Sequence, residues 1–244
     1  MKPFNFDETK KYPVLMYVYG GPGSQTVTDS WGGHNYMWYQ LLCQKGYVVV
    51  SIDNRGTGGR GSEFKKCTYK ELGKLETIDQ IEGAKYLSSL SYIDKEKIGI
   101  WGWSYGGYMT SWVITQTDRF KAASVGAGLP NLMSFSGTAD VPDFIPDYFG
   151  GEFWEVPEAW QSHSALFNIQ SVTTPTLIQH GEEDRRVPIS QAYELRNALS
   201  RQDVPVTMVV YPRQPHGIQE PKLQLNAMHW NLNWFDRWVM GRIP

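Results

Sequence analysis

Five residues, Gly102-Trp103-Ser104-Tyr105-Gly106, constrain the fold of this chain more than any others. Lys97 to Trp101 ahead of them favours a β-strand, and beyond Gly107 the stretch from Tyr108 to Thr115 can begin a helix. A Gly-x-Ser-x-Gly segment between strand and helix sets the serine on a sharp turn with strained backbone and an exposed hydroxyl. Small neighbours are required there because strand and helix approach closely. The pattern alone recurs by chance as a glycine-rich turn; the flanking strand and helix are what point to a catalytic serine.

The rest of the chain alternates in the same way. Pro13 to Tyr19 and Tyr47 to Ile52 are nearly continuous apolar runs, as expected of strands covered on both faces. Between them, Trp38 to Lys45 can form a helix closed by Gly46. Ile78, Ile81, Ala84 and Leu87 mark one face of a further helix before the serine turn. Strands are predicted at Ala122 to Val125, Thr176 to Gln179 and Val206 to Tyr211, with helical character from Pro188 to Ser200. Trp230, Trp234 and Trp238 recur every fourth residue and form an apolar stripe on a last helix, read as core packing. This alternation predicts an α/β fold with a mostly parallel sheet and helices on both faces, in one domain over residues 1–244. Residues 129–161 break the pattern: they are rich in Pro, Asp and aromatics, as in Val141-Pro142-Asp143-Phe144-Ile145-Pro146-Asp147-Tyr148. A long irregular insertion of that composition reads as a pocket-forming excursion, with a purely structural cap as the alternative.

Composition removes several function classes. With 244 residues, 41% of them hydrophobic, the chain can bury a sizeable core. A net charge of −2, without a basic stripe or acidic tail, argues against nucleic acid or an anionic membrane as the main partner. Cys43 and Cys67 lack metal-ligand spacing, so free thiols are expected, one disulfide stays open, and neither metal nor cofactor is called for. Met1 to Asp7 lacks the apolar stretch of a signal peptide and no run is long enough to span a membrane; a cytoplasmic location is expected if the chain is complete.

A serine hydroxyl is a weak nucleophile at neutral pH and needs a base, which in turn needs an orienting acid. On folds with this turn the chain order is Ser, acid, His. His216 follows the last predicted strand in Gln214-Pro215-His216-Gly217, the right place for the base, whereas His180 at a strand end reads as structural and His229 lies on the tryptophan-striped helix. Asp184, just past the penultimate strand, is the favoured acid, with Glu182 and Glu183 as fallbacks. The backbone N–H of Tyr105, the residue after the nucleophile, is one expected donor to the oxyanion.

Gly102-Trp103-Ser104-Tyr105-Gly106-Gly107-Tyr108-Met109 resembles the active-site signature of the prolyl oligopeptidase family of serine peptidases. Tyr19-Gly20-Gly21-Pro22-Gly23, Asp53-Asn54-Arg55-Gly56, Gly181 to Pro188 and His216-Gly217 extend the resemblance through nearly the whole chain. The first half is similar to the dipeptidyl-peptidase branch, while Glu182 to Pro188 and Thr138 to Asp143 look more like the acylaminoacyl-peptidase branch. The resemblance implies an α/β-hydrolase fold and the triad Ser104, Asp184 and His216, the set already chosen from the residues. It also implies that the Tyr19 hydroxyl is the second oxyanion donor, although tyrosine at a strand end is common in its own right. Arg186 matches a position that holds a substrate carbonyl, with a surface ion pair as the alternative. Tyr105, Tyr108, Phe144, Tyr148 and Val187 are expected to wall the first specificity pocket.

Family members usually carry an N-terminal β-propeller. The expectation here is a chain without it and without the first two strands common in α/β-hydrolases. Three functions compete. The first is a serine hydrolase that cleaves carboxylic esters, and peptides or amides, through an acyl-enzyme. The second is an excised peptidase domain whose activity needs the propeller. The third is a non-catalytic binding or dimerisation module. A homodimer is expected if the tryptophans of the last helix are exposed.

Overall fold

The computed structural model describes residues 1–242, apart from the side chains of Gly33 and His34. Six parallel strands form one sheet in the order β2-β1-β3-β4-β5-β6. They are β1 (Tyr12–Tyr17), β2 (Val48–Ser51), β3 (Ile93–Trp103), β4 (Ala122–Gly126), β5 (Thr176–Gly181) and β6 (Val206–Tyr211). The helices are α1 (Gly33–Gln44), α2 (Ser62–Lys66), α3 (Lys74–Ser89), α4 (Tyr105–Gln116), α5 (Leu132–Thr138), α6 (Phe144–Phe149), α7 (Pro157–Ser162), α8 (Ser190–Arg201) and α9 (Pro221–Trp238). A 3-10 segment, Ala165–Ser171, precedes β5.

Side chains of β1 alternate between two cores. Val14 and Met16 join the cluster under α3, α4 and α8, whereas Leu15 joins Trp38, Leu42, Trp234 and Phe235 beneath α1 and α9. Because both faces are covered, the strands carry apolar residues at successive positions, which is why they read as continuous runs. The strand order turns outward in both directions from β1 and β3, so loops leaving the carboxyl ends of the central strands converge on one crevice.

Three expectations need correction. Segment 129–161 is not irregular: it contains α5, α6 and α7, each of six or seven residues and too short to show apolar periodicity. The buried face of α3 is not the one containing Ile78, which is 44% exposed; it is Thr77, Gln80, Ala84 and Leu87, flanked by Glu76. Polar residues occupy the buried positions of the first turns, so the apolar pattern pointed to a neighbouring face. The tryptophan stripe is graded, with Trp234 buried against Trp238 at 5.7 Å between ring centroids and Trp230 at the exposed rim.

Candidate active site

Ser104 sits between β3 and α4 with φ 61° and ψ −121°, a backbone conformation that costs energy for a residue with a Cβ. Gly102 and Gly106 allow the turn: a Cβ on either would lie 2.3 and 2.2 Å from the Val18 carbonyl oxygen. The Ser104 N–H donates to the Gly126 carbonyl at the end of β4, at 2.9 Å, tying the turn into the sheet.

The Ser104 hydroxyl donates to Nε2 of His216 at 2.8 Å, and Nδ1–H of His216 donates to Oδ2 of Asp184 at 2.8 Å. Oδ1 of Asp184 accepts the Val187 N–H at 2.9 Å. Burial pushes the Asp184 carboxyl up, but hydrogen bonds from His180, His216 and the Val187 amide outweigh it and hold the group at about 2. Asp184 is thus an ionised, fixed acceptor. Glu182, the nearer fallback acid, instead accepts the Arg213 N–H at 3.1 Å.

The two loops that bring Asp184 and His216 together are bound to each other. Glu182 and Glu183 N–H groups donate to Tyr211 and Gln214 carbonyls, each at 2.9 Å. Gly181 makes this approach possible, since a Cβ there would lie 2.3 Å from the Pro215 carbonyl oxygen. Gln214 is buried, and its Oε1 accepts from the Gln219 and Glu220 amides, closing the base loop from within. Trp103 Nε1–H donates to the His216 carbonyl at 2.7 Å, so the residue before the serine holds the backbone of His216.

A cavity of about 230 Å3 opens at Ser104, lined by Tyr19, Gly21, Pro22, Tyr105, Leu129, Phe135, Val141, Phe144, Arg186 and Val187. Of the residues named for the specificity pocket, Tyr105, Phe144 and Val187 line this cavity, and segment 129–161 supplies four of its walls. Tyr108 and Tyr148 do not line it. Tyr108 is fully buried, its hydroxyl held between the Leu72 and His163 carbonyls, and Tyr148 turns away to share a hydrogen bond with the Thr68 hydroxyl. Arg186 lines the cavity, and its Nε–H donates to Asp140, half-exposed, on the insertion, so it makes the ion pair that was its alternative reading. Tyr105 is the first residue of α4, where N–H groups lack intrahelical acceptors. Tyr19 also lines the cavity, its ring centroid 6.2 Å from that of Tyr105.

Two buried residues stand near the site: His180, read in the sequence as structural, and Glu76, which the sequence did not single out. His180, fully buried, lies behind the acid; its Nε2–H donates to the Val187 carbonyl at 2.7 Å and stands 3.4 Å from Asp184 Oδ2. Glu76, also fully buried, accepts the Tyr105 hydroxyl at 3.0 Å. Burial raises its carboxyl to about 7, against the partial help of nearby amides in the first turn of α3 and of the Tyr105 hydroxyl. Position alone hid it: a Glu in the first turn of a helix is ordinarily a solvated residue facing the helix dipole.

Among the described residues, no three His, Cys, Asp or Glu side chains are grouped to hold a metal ion, and no helix is long and apolar enough to cross a membrane. Cys43 and Cys67 are both free thiols.

Comparison with known proteins identifies a family and relatives. The prolyl oligopeptidase family model of serine peptidases matches residues 34–242. The chain is 32% identical over 243 residues to an uncharacterized peptidase, YuxL, of Bacillus subtilis (strain 168), covering 97% of this chain and 36% of that protein. It is 33% identical over 237 residues to dipeptidyl peptidase 8 of Homo sapiens, covering 94% of this chain and 26% of that one. The crystal structure of Porphyromonas gingivalis dipeptidyl peptidase 4 superposes with a TM-score of 0.84 at 34% identity, over 95% of this chain and 32% of that one. The chain thus spans about a quarter to a third of the length of these relatives.

Proposed function

The chain belongs to the prolyl oligopeptidase family and is a serine hydrolase of α/β-hydrolase fold; from that premise we propose that it cleaves carboxylic esters and peptide bonds through an acyl-enzyme formed on Ser104. The observation that carries the reading is the unbroken hydrogen-bond chain from Ser104 through His216 to Asp184 at the mouth of a cavity.

In this reaction Ser104 Oγ attacks the carbonyl carbon while His216 Nε2 takes the hydroxyl proton. The carbonyl oxygen becomes an oxyanion, stabilised by the Tyr105 N–H and the Tyr19 hydroxyl. The intermediate collapses, the bond to the leaving oxygen or nitrogen breaks, and His216 returns the proton to it. Water then attacks the acyl-enzyme with His216 again as base, releasing the carboxylic acid and restoring Ser104. Asp184 stays ionised throughout and holds His216 in the tautomer that leaves Nε2 free to accept. The cavity of about 230 Å3 receives the side chain of the acyl residue.

Peptides are the natural substrate class in this reading, because relatives that match over nearly the whole of this chain are named as peptidases. The test is labelling with a fluorophosphonate probe followed by peptide mapping. The adduct is expected on Ser104, and an adduct on Ser111 or Ser136 would overturn the assignment.

A further inference from the structure

Glu76 is a buried carboxyl that the acyl-transfer steps do not use, and it is an expensive residue for holding a helix against a sheet. An apolar side chain would hold α3 in place without the cost of taking a carboxyl out of water. Thr77 Oγ1, Gln80 Oε1 and Glu76 Oε2, on the same buried face, have no hydrogen-bond partner among the described residues. The one side-chain hydrogen bond of Glu76 among those residues is the one it accepts from Tyr105.

That contact belongs to a larger mount. Tyr105, Tyr108 and Trp112 lie three and four positions apart on α4, and so share a face of that helix. Each donates to the segment where α3 begins: Tyr105 to Glu76 at 3.0 Å, Tyr108 to the Leu72 carbonyl at 3.2 Å, and Trp112 to the Gly73 carbonyl at 3.1 Å. Gly73 is required at this junction, since a Cβ there would lie 2.3 Å from the Tyr108 hydroxyl. The Tyr105 ring then packs edge-on against Tyr108 at 5.2 Å, and Tyr105 lines the cavity at Ser104. Two of the three contacts end on backbone carbonyls. Only the Tyr105 contact depends on a side chain of α3.

We propose that Glu76 is a positioning residue for substrate selection: by holding the Tyr105 hydroxyl it fixes the angle of the ring that walls the acyl pocket, and so sets which acyl residues fit. The proposal rests on Ser104 being the nucleophile, because that is what makes this cavity the acyl site. Glu76 touches no reacting atom and acts through Tyr105 alone.

The test uses matched aryl esters of N-acetyl-alanine and N-acetyl-leucine, with kcat and KM measured separately for wild type, Y105F, E76L, E76Q and the E76L/Y105F double variant. Y105F and E76L should each shift the alanine-to-leucine ratio of kcat/KM by about tenfold in the same direction, the scale on which a pocket discriminates methylene groups. The change should fall mainly on KM. The double variant should shift the ratio no further than the larger single change, since both remove one interaction. E76Q keeps an acceptor oxygen in the same place and should return the ratio to within about twofold of wild type. A merely structural role would slow both esters alike and leave the ratio unmoved.

Fluorophosphonate labelling, mapped in every protein, separates the two ideas. An adduct away from Ser104 in wild type defeats the functional reading. Labelling at Ser104 with an unmoved ratio in Y105F, or with Glu76 and Tyr105 effects that simply multiply, defeats the role of Glu76 alone. Should E76L fail to fold, the near-isosteric Y105F and E76Q still decide the matter.

Discussion

Ser104→Ala and His216→Ala should each lower kcat by several orders of magnitude. The double variant should be little worse than either, because a nucleophile and base linked at 2.8 Å, as proposed for this pair, act as one unit. Penalties that multiply in single-turnover measurements would show that the two side chains act independently. Tyr19→Phe keeps the ring that lines the cavity and removes only the hydroxyl. Loss of one oxyanion donor typically lowers kcat by about 10²–10³, with KM little changed; near-native kcat on a substrate whose chemistry is rate-limiting would make Tyr19 structural. At this scale the sequence was most legible where geometry forces a residue type. The serine turn needs its glycines, and His216 is marked by the Pro–Gly loop around it. Asp184 was found by its place after a strand. Glu76 was not legible as a site neighbour, because what distinguishes it is burial beside another segment, and neither spacing nor composition records that.

Glu76 on α3 and Asp184 after β5 give the elements opposite pH responses. The Glu76 carboxyl is raised to about 7 by burial, so the folded protein holds its proton more tightly than the unfolded chain does. The stability this confers is complete below the ordinary value of 4.5 and is lost as pH rises through 7. Asp184, held at about 2, contributes stability that is present above its ordinary 3.8 and lost as pH falls through 2. Replacing Glu76 by Gln should therefore stabilise the protein at pH 8 relative to pH 4.5, by up to about 3 kcal/mol. Denaturant midpoints of both proteins at the two pH values check this, and a wild-type difference that E76Q leaves intact would assign the titration elsewhere. The same helix shows why some elements were misread. β1, β4 and β5 are interior strands buried at nearly every position and announce themselves by apolar residues, whereas the first half of β3 carries Asp94-Lys95-Glu96-Lys97 at the end of the sheet and does not look like a strand. α3 buries Glu76, Thr77 and Gln80, so its true inner face reads as polar.

Taken as a whole, the molecule has a small cavity next to Ser104. A volume of about 230 Å3 is below the roughly 300–1,000 Å3 usual for ligand pockets, so the binding energy available from it is limited. Amide cleavage depends on remote binding to hold a poor leaving group against the base, while an activated ester leaves with less help. With one acyl group shared between them, aryl esters should show higher kcat/KM than the matching amides when this 244-residue chain is assayed. Equal turnover of ester and amide, with strict release of dipeptides, would overturn that order. The pocket and the machinery beside it are also not separable parts. Asp140 on the insertion donates its N–H to the Arg185 carbonyl and its carboxylate accepts from Arg186, next to the acid Asp184. A lineage altering its diet by rewriting residues 129–161 would tug on the acid loop with each change. Substrate range and catalytic fitness are therefore inherited together, and a graft of this segment from a relative should keep activity only when it brings its own partner for Arg186.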